Sequence, residues 1–545
     1  MNNNTFGFQP TGGMVTEVEI LGQLDDGTST NLKATQEGHL EVAIHDPILP
    51  FGSVHAENLT PIFQTDAVYG INPQQVVATT GLSVGIGAGS ATNTGTSNLF
   101  KCSTGTTQYS FASMQSRRRL RYRPGQGVVA RFTALFSSPV ANSILVARVG
   151  TSECGYFFGY NGTSFGILHS TGGVREIHTF TITTASTSTQ SYQVTQPNTQ
   201  VITITATNNN NTARTAYEIS QGSFVGWEVY SSGSTVIFVA SSAGPITGSF
   251  SLAQSGAATP AAGTDAETTA GVSPTNTWIP QTEWNGDRLL YSTDPDNSPS
   301  QTTLNTLNGN VFQIGIQYLG FGAIEFKVEV CPTDGNNPIL VTVHTLRFPN
   351  TRTTVTQNQP AFPFTMAAYS SGSTTNVSVS VASFAGFIEG QKISIGPRET
   401  YYNNNGITSS ISAYIPLFTV KNGYSFASRA NQVVSNLIGI GAAAKSTNGL
   451  TTFYLIKDAT LTGPTNFAAW ASNSPTLVDT SSTGCSFTNN NQVVWSGGIS
   501  ESGQDNYAFS DHEITMQPGE SYTLAVRSVT STSTCIGSLN TREDQ

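Results

Sequence analysis

The chain has 545 residues, with 23 Lys or Arg against 33 Asp or Glu; its formal net charge is -10, and charged residues make up only 10%. That balance excludes a general nucleic-acid binder, which needs excess cations to displace counterions from phosphates. It also excludes the usual disordered chain, because aromatics reach 10% and net charge per residue is low.

The opening stretch, MNNNTFGFQP, has no basic run leading into an apolar one, so no secretory signal is expected. No window approaches the roughly 18 apolar residues of a membrane-spanning helix. Residues 1–70 read as an anchoring arm with two short strands, EVEIL and LEVAIH, the first leading into the turn DDGTS. Residues 71–172 together with 273–395 read as the two halves of one sandwich, dense in strands such as GVVARFTALF and GYFFGYNGTSFGIL. Within it, GIGAGSATNTG (85–95) reads as a flexible loop, since it lacks the Lys and the following helix of a phosphate cradle.

Between the two halves, residues 173–272 are rich in Thr and Ser and poor in charge, and they read as an inserted small β domain. Further on, period-two alternation is plain. VFQIGIQY puts Phe312, Ile314, Ile316 and Tyr318 on one face; IEFKVEV does the same for Ile324, Phe326, Val328 and Val330. The linking LGFG makes residues 311–330 a β-hairpin. Residues 396–545 read as a C-terminal β-sandwich. Helical periodicity is confined to TAYEISQGSF and to SFASRANQVVSNLIG (425–439). The expected fold is all-β and multi-domain: jelly-roll-like β-sandwiches with an inserted small β domain.

Chemistry-bearing clusters are sparse. Cys102, Cys154, Cys331, Cys485 and Cys535 are far apart, which predicts free thiols and a reducing compartment. Seven histidines (His39, His45, His55, His169, His178, His344 and His512) show no metal spacing and read as surface or turn residues. The most acidic and aromatic loop is 278–297, with Glu283, Trp284, Asp287, Asp294 and Asp296. Paired-carboxylate glycan hydrolysis or a calcium loop would need more than these spacings offer, and a connecting loop is preferred. No catalytic residue, metal or cofactor is therefore expected. Asn-rich stretches at 208–211, 401–406 and 488–492 suit either β-turns or sugar contacts. For the second use, Tyr401, Tyr402 and Trp495 are the candidate glycan contacts.

The densest charge is RRRLRYR at 117–123. On a strand Arg119, Arg121 and Arg123 share one face, while Leu120 and Tyr122 point the other way. Guanidiniums so close repel one another unless acids or carbonyls face them, so Arg117, Arg119, Arg121 and Arg123 are candidate subunit contacts. An exposed edge guarded by charge is the plainer alternative. SRRRLRYRPGQGVVARFTALF, with GYFFGYNGTSFGILH after it and HDPILPFGSVHAENLTPIFQTDAVYGINPQQV before it, resembles structural proteins of tailed phages and other large DNA-virus particles. NVFQIGIQYLGFGAIEFKVEV, VTVHTLRFPNT and FPFTMAAYSSGSTTNVSVSVASFAGFIEG extend the resemblance over residues 40–395. It implies a virion structural protein: a capsid-associated, fibre, spike or tail component. Its partners would be copies of itself, a homotrimer being favoured, and other virion proteins, with neither nucleic acid nor a membrane span. Binding or degrading a host surface glycan is the alternative.

Overall fold

The structure, a computed structural model, describes residues 21–23, 29–31 and 59–544, apart from 83–88, 95–96, 257–258, 318, 332–337, 391–395, 446–448, 501 and 510–513. Two compact units result, residues 1–57 and 58–545. In the first, Leu21–Gln23 pairs antiparallel with Ser29–Asn31 on either side of the expected turn; LEVAIH lies outside the described residues. The arm expected over 1–70 is shorter than that. Leu59–Asp66 is a strand of the large unit, paired with Ser383–Glu389. A register shift at Gly386 and Phe387 lets the adjacent Ile62 and Phe63 both reach the interior.

Every pairing between described strands is antiparallel, and the sheets stack in layers, which makes the molecule an all-β, multi-domain β-sandwich protein. Residues 59–66, 76–171 and 275–389 supply the two sheets of the first sandwich, one of seven strands and one of nine. Alternation dictates its core. Phe312, Ile314 and Ile316 of Asn310–Ile316 and Phe326 and Val328 of Ile324–Val330 are fully buried, and Phe312 lies opposite Val328. Leu319 and Gly320, both at positive φ, close the expected hairpin, with Tyr318 outside the described residues. The second half of the stretch read as a flexible loop, Ser90–Thr94, is a strand paired with Leu99–Ser103.

Residues 174–272 leave and re-enter this sandwich at a narrow neck, where Val174 and Val272 exchange both backbone hydrogen bonds at 2.9 Å. Beyond the neck a four-stranded and a three-stranded sheet enclose a separate core around Phe238, Trp227 and Phe250. The helix Thr212–Ser220 lies here, overlapping the first six residues of the candidate TAYEISQGSF (215–224) and starting three residues before it; Asn211 Oδ1 caps it by accepting from the Arg214 amide at 3.1 Å.

The second expected helix, 425–439, is not one. Its residues form the short strands Ser425–Phe426 and Arg429–Ala430 and the start of the long strand Val434–Lys445. That long strand is held on one side by Thr534–Asp544 and on the other by Gly503–Ala508, so ladder hydrogen bonds override a locally helical pattern. With Arg398–Thr408 it builds one sheet of the C-terminal sandwich; the facing six-stranded sheet centres on Ile415–Asn422 and Ser521–Ser528. The outer face of this second sheet is apolar too. Ile456, Leu477 and Ala525 pack there against Ile177, Tyr217, Tyr230 and Val239 of residues 174–272, forming a third layer.

Candidate functional site

The arginine segment lies inside the large unit, where the first sandwich meets the C-terminal one. Leu120–Arg121 is a two-residue strand paired with Ala361–Phe362, and Leu120 and Tyr122 enter the first core. The expected alternation is therefore correct, and so is the turn: Gly125 has φ +89°, and the Gln126 amide donates to the Arg123 carbonyl at 3.0 Å. The opposite face carries the arginines.

Of the four candidate subunit contacts, Arg117 and Arg123 find acids within the same chain, while Arg119 and Arg121 form no ion pair among the described residues. Arg123 Nη2 donates to Asp544 Oδ1 at 2.8 Å, across 421 residues of sequence. Arg117 Nη1 lies 3.8 Å from Glu520 Oε1, and its Nε donates to the Pro73 carbonyl. Burial lowers the pKa of Arg121, partly offset by Asp544, while Arg123 lowers it further. Arg119 is enclosed most completely. Burial pulls its pKa to about 10, with Glu228 and Glu153 opposing and Arg175 reinforcing the drop. Its Nε and Nη1 are shut off from solvent and find no acceptor among the described residues.

Beside Arg119 runs a second set of buried charges. Arg175, at the neck of residues 174–272, donates through Nη2 to Glu228 and through Nε to the Ala240 carbonyl. Its backbone amide donates to Glu153 Oε1 at 3.4 Å. Burial raises the pKa of Glu153, against the pull of Arg175.

Two small cavities open at this junction. One, of about 50 Å³, is lined by Arg118, Arg119, Arg121, Arg123, Gln432 and Asp544, among others. The other, of about 240 Å³, shares Arg121, Ala361 and Gln432 with it and adds Arg429.

The candidate glycan contacts do not assemble. Tyr401 is fully buried, its hydroxyl donating to Glu543 Oε1 at 3.4 Å, and cannot meet a sugar. Tyr402 is 47% exposed and stands edge-on to Trp470 with ring centroids 5.6 Å apart. Trp495 pairs instead with Tyr507, on Gly503–Ala508, at the opposite edge of the sheet from Arg398–Thr408. The Asn-rich stretches are largely built into the backbone. Asn209 Oδ1 accepts from the Asn211 amide, Asn403 Nδ2 donates to the Leu417 carbonyl at 2.7 Å, and Asn489 with Gln492 forms a capping box.

In the acidic loop 278–297, Trp284 is buried in the first core and Asp287 ties the loop by accepting from the Leu289 and Ser300 amides at 2.9 Å. Asp294 pairs with Arg288 at 2.8 Å. Among the described residues no group of three or more His, Cys, Asp or Glu is arranged to hold a metal ion. All five cysteines are free; Cys331 is exposed and the other four are buried.

The described histidines are buried, not on turns or at the surface as expected; His39, His45, His55 and His512 lie outside the described residues. Burial holds His169 and His344 down to about 4, so both are neutral near pH 7. His178 behaves oppositely. Burial alone would lower its pKa, but hydrogen bonds to Asp265 and Glu176, each 2.9 Å, outweigh it and raise the value. A His whose folded pKa is raised adds stability that is fully present below the unfolded pKa of about 6.5 and lost as pH rises through the folded value. Residues 174–272 should therefore lose thermal stability as pH climbs out of that window, and His178→Gln should flatten the loss; melts of both chains across the window measure it.

No family model matches the chain, and no curated protein does. Solved structures give low-scoring likenesses. A legume lectin-like domain from Entamoeba histolytica is 8% identical over 60% of this chain and 98% of its own, with a TM-score of 0.22. Lectin II from Ulex europaeus is 9% identical over 60% and 99%, at 0.21. The lectin UEA-II complexed with galactose is 8% identical over 60% and 99%, also at 0.21. TM-scores of this size support no inference about ligand or role.

Proposed function

We propose that the chain is a structural protein of a virus particle, working by contact with neighbouring subunits and not by turnover. The observation that carries the reading is the edge strand Gly503–Ala508. All six of its residues are exposed, and among the described strands of its sheet it pairs only with Val434–Lys445. A flat, low-charge edge of this kind accepts a strand from another chain, since backbone groups left unpaired by the fold are satisfied by the partner. The sequence resemblance over residues 40–395 points the same way. Copies of the chain itself are the first partners, and a homotrimer is favoured because closed cyclic symmetry repeats a contact without open-ended growth.

Replacing Gln504 and Asn506 by Lys tests the reading. Both side chains are exposed on the same face of the strand, so the monomer's stability should change by no more than about 0.5 kcal/mol. Self-association, measured by light scattering, should weaken by at least about tenfold, because like charges then meet at the edge. A wild-type chain that stays monomeric at high concentration, together with particles that assemble normally when the chain is absent, would sink the proposal. A second, smaller role is glycan contact at Tyr402, whose exposed ring stands edge-on to the half-buried Trp470; presenting the intact protein to a glycan array reads it directly.

A further inference from the structure

The cavity at the junction between the two sandwiches has more positive charge on its wall than the acid lining it neutralises. Arg118, Arg119, Arg121 and Arg123 all line the smaller cavity, and the acid on its wall is Asp544. Asp544 is taken by Arg123 at 2.8 Å. Arg118 makes only a long 3.5 Å bond to the Ile62 carbonyl, and Arg119 leaves two enclosed N–H groups without an acceptor. Across the same cavity, Gln432 has neither an acceptor for Nε2 nor a donor for Oε1, and Gln517 Oε1 is likewise unsatisfied. Buried polar groups are nearly always satisfied, so the open N–H groups of Arg119 and Gln432 around one cavity mark the place of something that accepts from them, while the Gln432 and Gln517 amide oxygens are left to a donor such as water. In a chain of net charge -10 this concentration of arginine is not a by-product of composition.

The geometry points to a binding site for a small tetrahedral oxyanion of the phosphate or sulfate class, held between the sandwiches by Arg118, Arg119 and Arg121 with the Gln432 amide. Guanidinium donors suit such oxyanions because their N–H groups diverge in a plane matched to two oxygens. Size agrees with the assignment. About 10–15 Å³ holds one water, so the space of about 50 Å³ suits one oxyanion and excludes a polymer backbone. The neighbouring cavity of about 240 Å³, with Arg121 and Arg429 on its wall, gives a positively charged antechamber. Bound there, the anion bridges Arg118–Arg121 of the first sandwich to Gln432 of the C-terminal one and ties the two together. This proposal stands apart from the assembly role and survives its failure.

The test is thermal unfolding of the full chain in sodium phosphate and in sodium sulfate, against sodium chloride at equal ionic strength. Phosphate and sulfate should raise the melting temperature along a saturating curve that chloride does not reproduce. Arg119→Gln should abolish the saturating component. Arg118→Gln, whose side chain is exposed and whose folding is safe, should shift the half-saturating concentration up by about tenfold, the effect of one lost charge-assisted bond. A rise that is linear, that chloride matches, or that is unchanged in Arg118→Gln would mean general salt exclusion and would overturn the site.

Discussion

Phe158→Ala should be the most damaging single truncation in the first sandwich, lowering its stability by about 3–5 kcal/mol. Phe158 is fully buried in the strand Gly155–Asn161, with ring centroids 4.8 Å from Phe312, 5.3 Å from Phe326 and 6.1 Å from Trp284. Phe312 and Phe326 belong to the opposite sheet, so the side chain fills the space between layers. Its removal leaves a void that rigid strands on both sides cannot close, and transfer and cavity costs add. Phe158→Leu, which refills most of the volume, should cost about 1 kcal/mol. Urea unfolding followed by tryptophan fluorescence measures both, since Trp284 lies against the lesion. Equal costs for Ala and Leu would show that the layers can collapse.

Arg175→Met should destabilise the neck of residues 174–272 by about 2–3 kcal/mol. Breaking a fully buried ion pair costs roughly 3–5 kcal/mol, because the remaining charge is left in a poor solvent; the Glu228 side chain is 37% exposed, which lowers the figure. Methionine keeps the length of the side chain and the amide bond to Glu153, so the loss is the Glu228 pairing and the guanidinium's pull on the Glu153 carboxylate. Glu228→Gln should cost less, since the Ala240 carbonyl still accepts from Arg175. Hydrogen exchange at Arg175–Thr184 and Thr235–Ala243 locates the effect. Exchange unchanged there, with loosening elsewhere, would contradict the assignment of Arg175 as the neck's anchor.

The two variants probe different kinds of information. Phe312 and Phe326 are legible as core from their strand patterns, because strand side chains alternate and an apolar residue at every second position can have only one buried face; Phe158 lies in the continuous apolar run GYFFGY, whose two faces are both buried. The all-β class, the 311–330 hairpin and the split of 117–123 into an apolar and a cationic face follow from the same local rule. The helix at 212–220 is legible from its period.

What the arginines face is not legible in that way. Arg123 meets Asp544 and Arg117 meets Glu520, acids hundreds of residues away that no local pattern connects to them. The tyrosine pair is equally opaque. Tyr401 and Tyr402 are neighbours in sequence, yet one is sealed in the core of the C-terminal sandwich and the other open, since adjacent strand residues take opposite faces and only stacking decides which face is covered.

Sequence by itself therefore determined that this protein is built of strands, where its turns fall, and which alternate residues form its cores, because these depend on steric and hydrophobic periodicity within a few residues. Tertiary structure alone decided that Val434–Lys445 is a strand and not a helix, that residues 174–272 pack on the outer face of the C-terminal sandwich, and that the arginines turn inward. Those outcomes rest on partners brought together only when distant segments pair, and the free energy of such contacts is written in no single stretch of the chain.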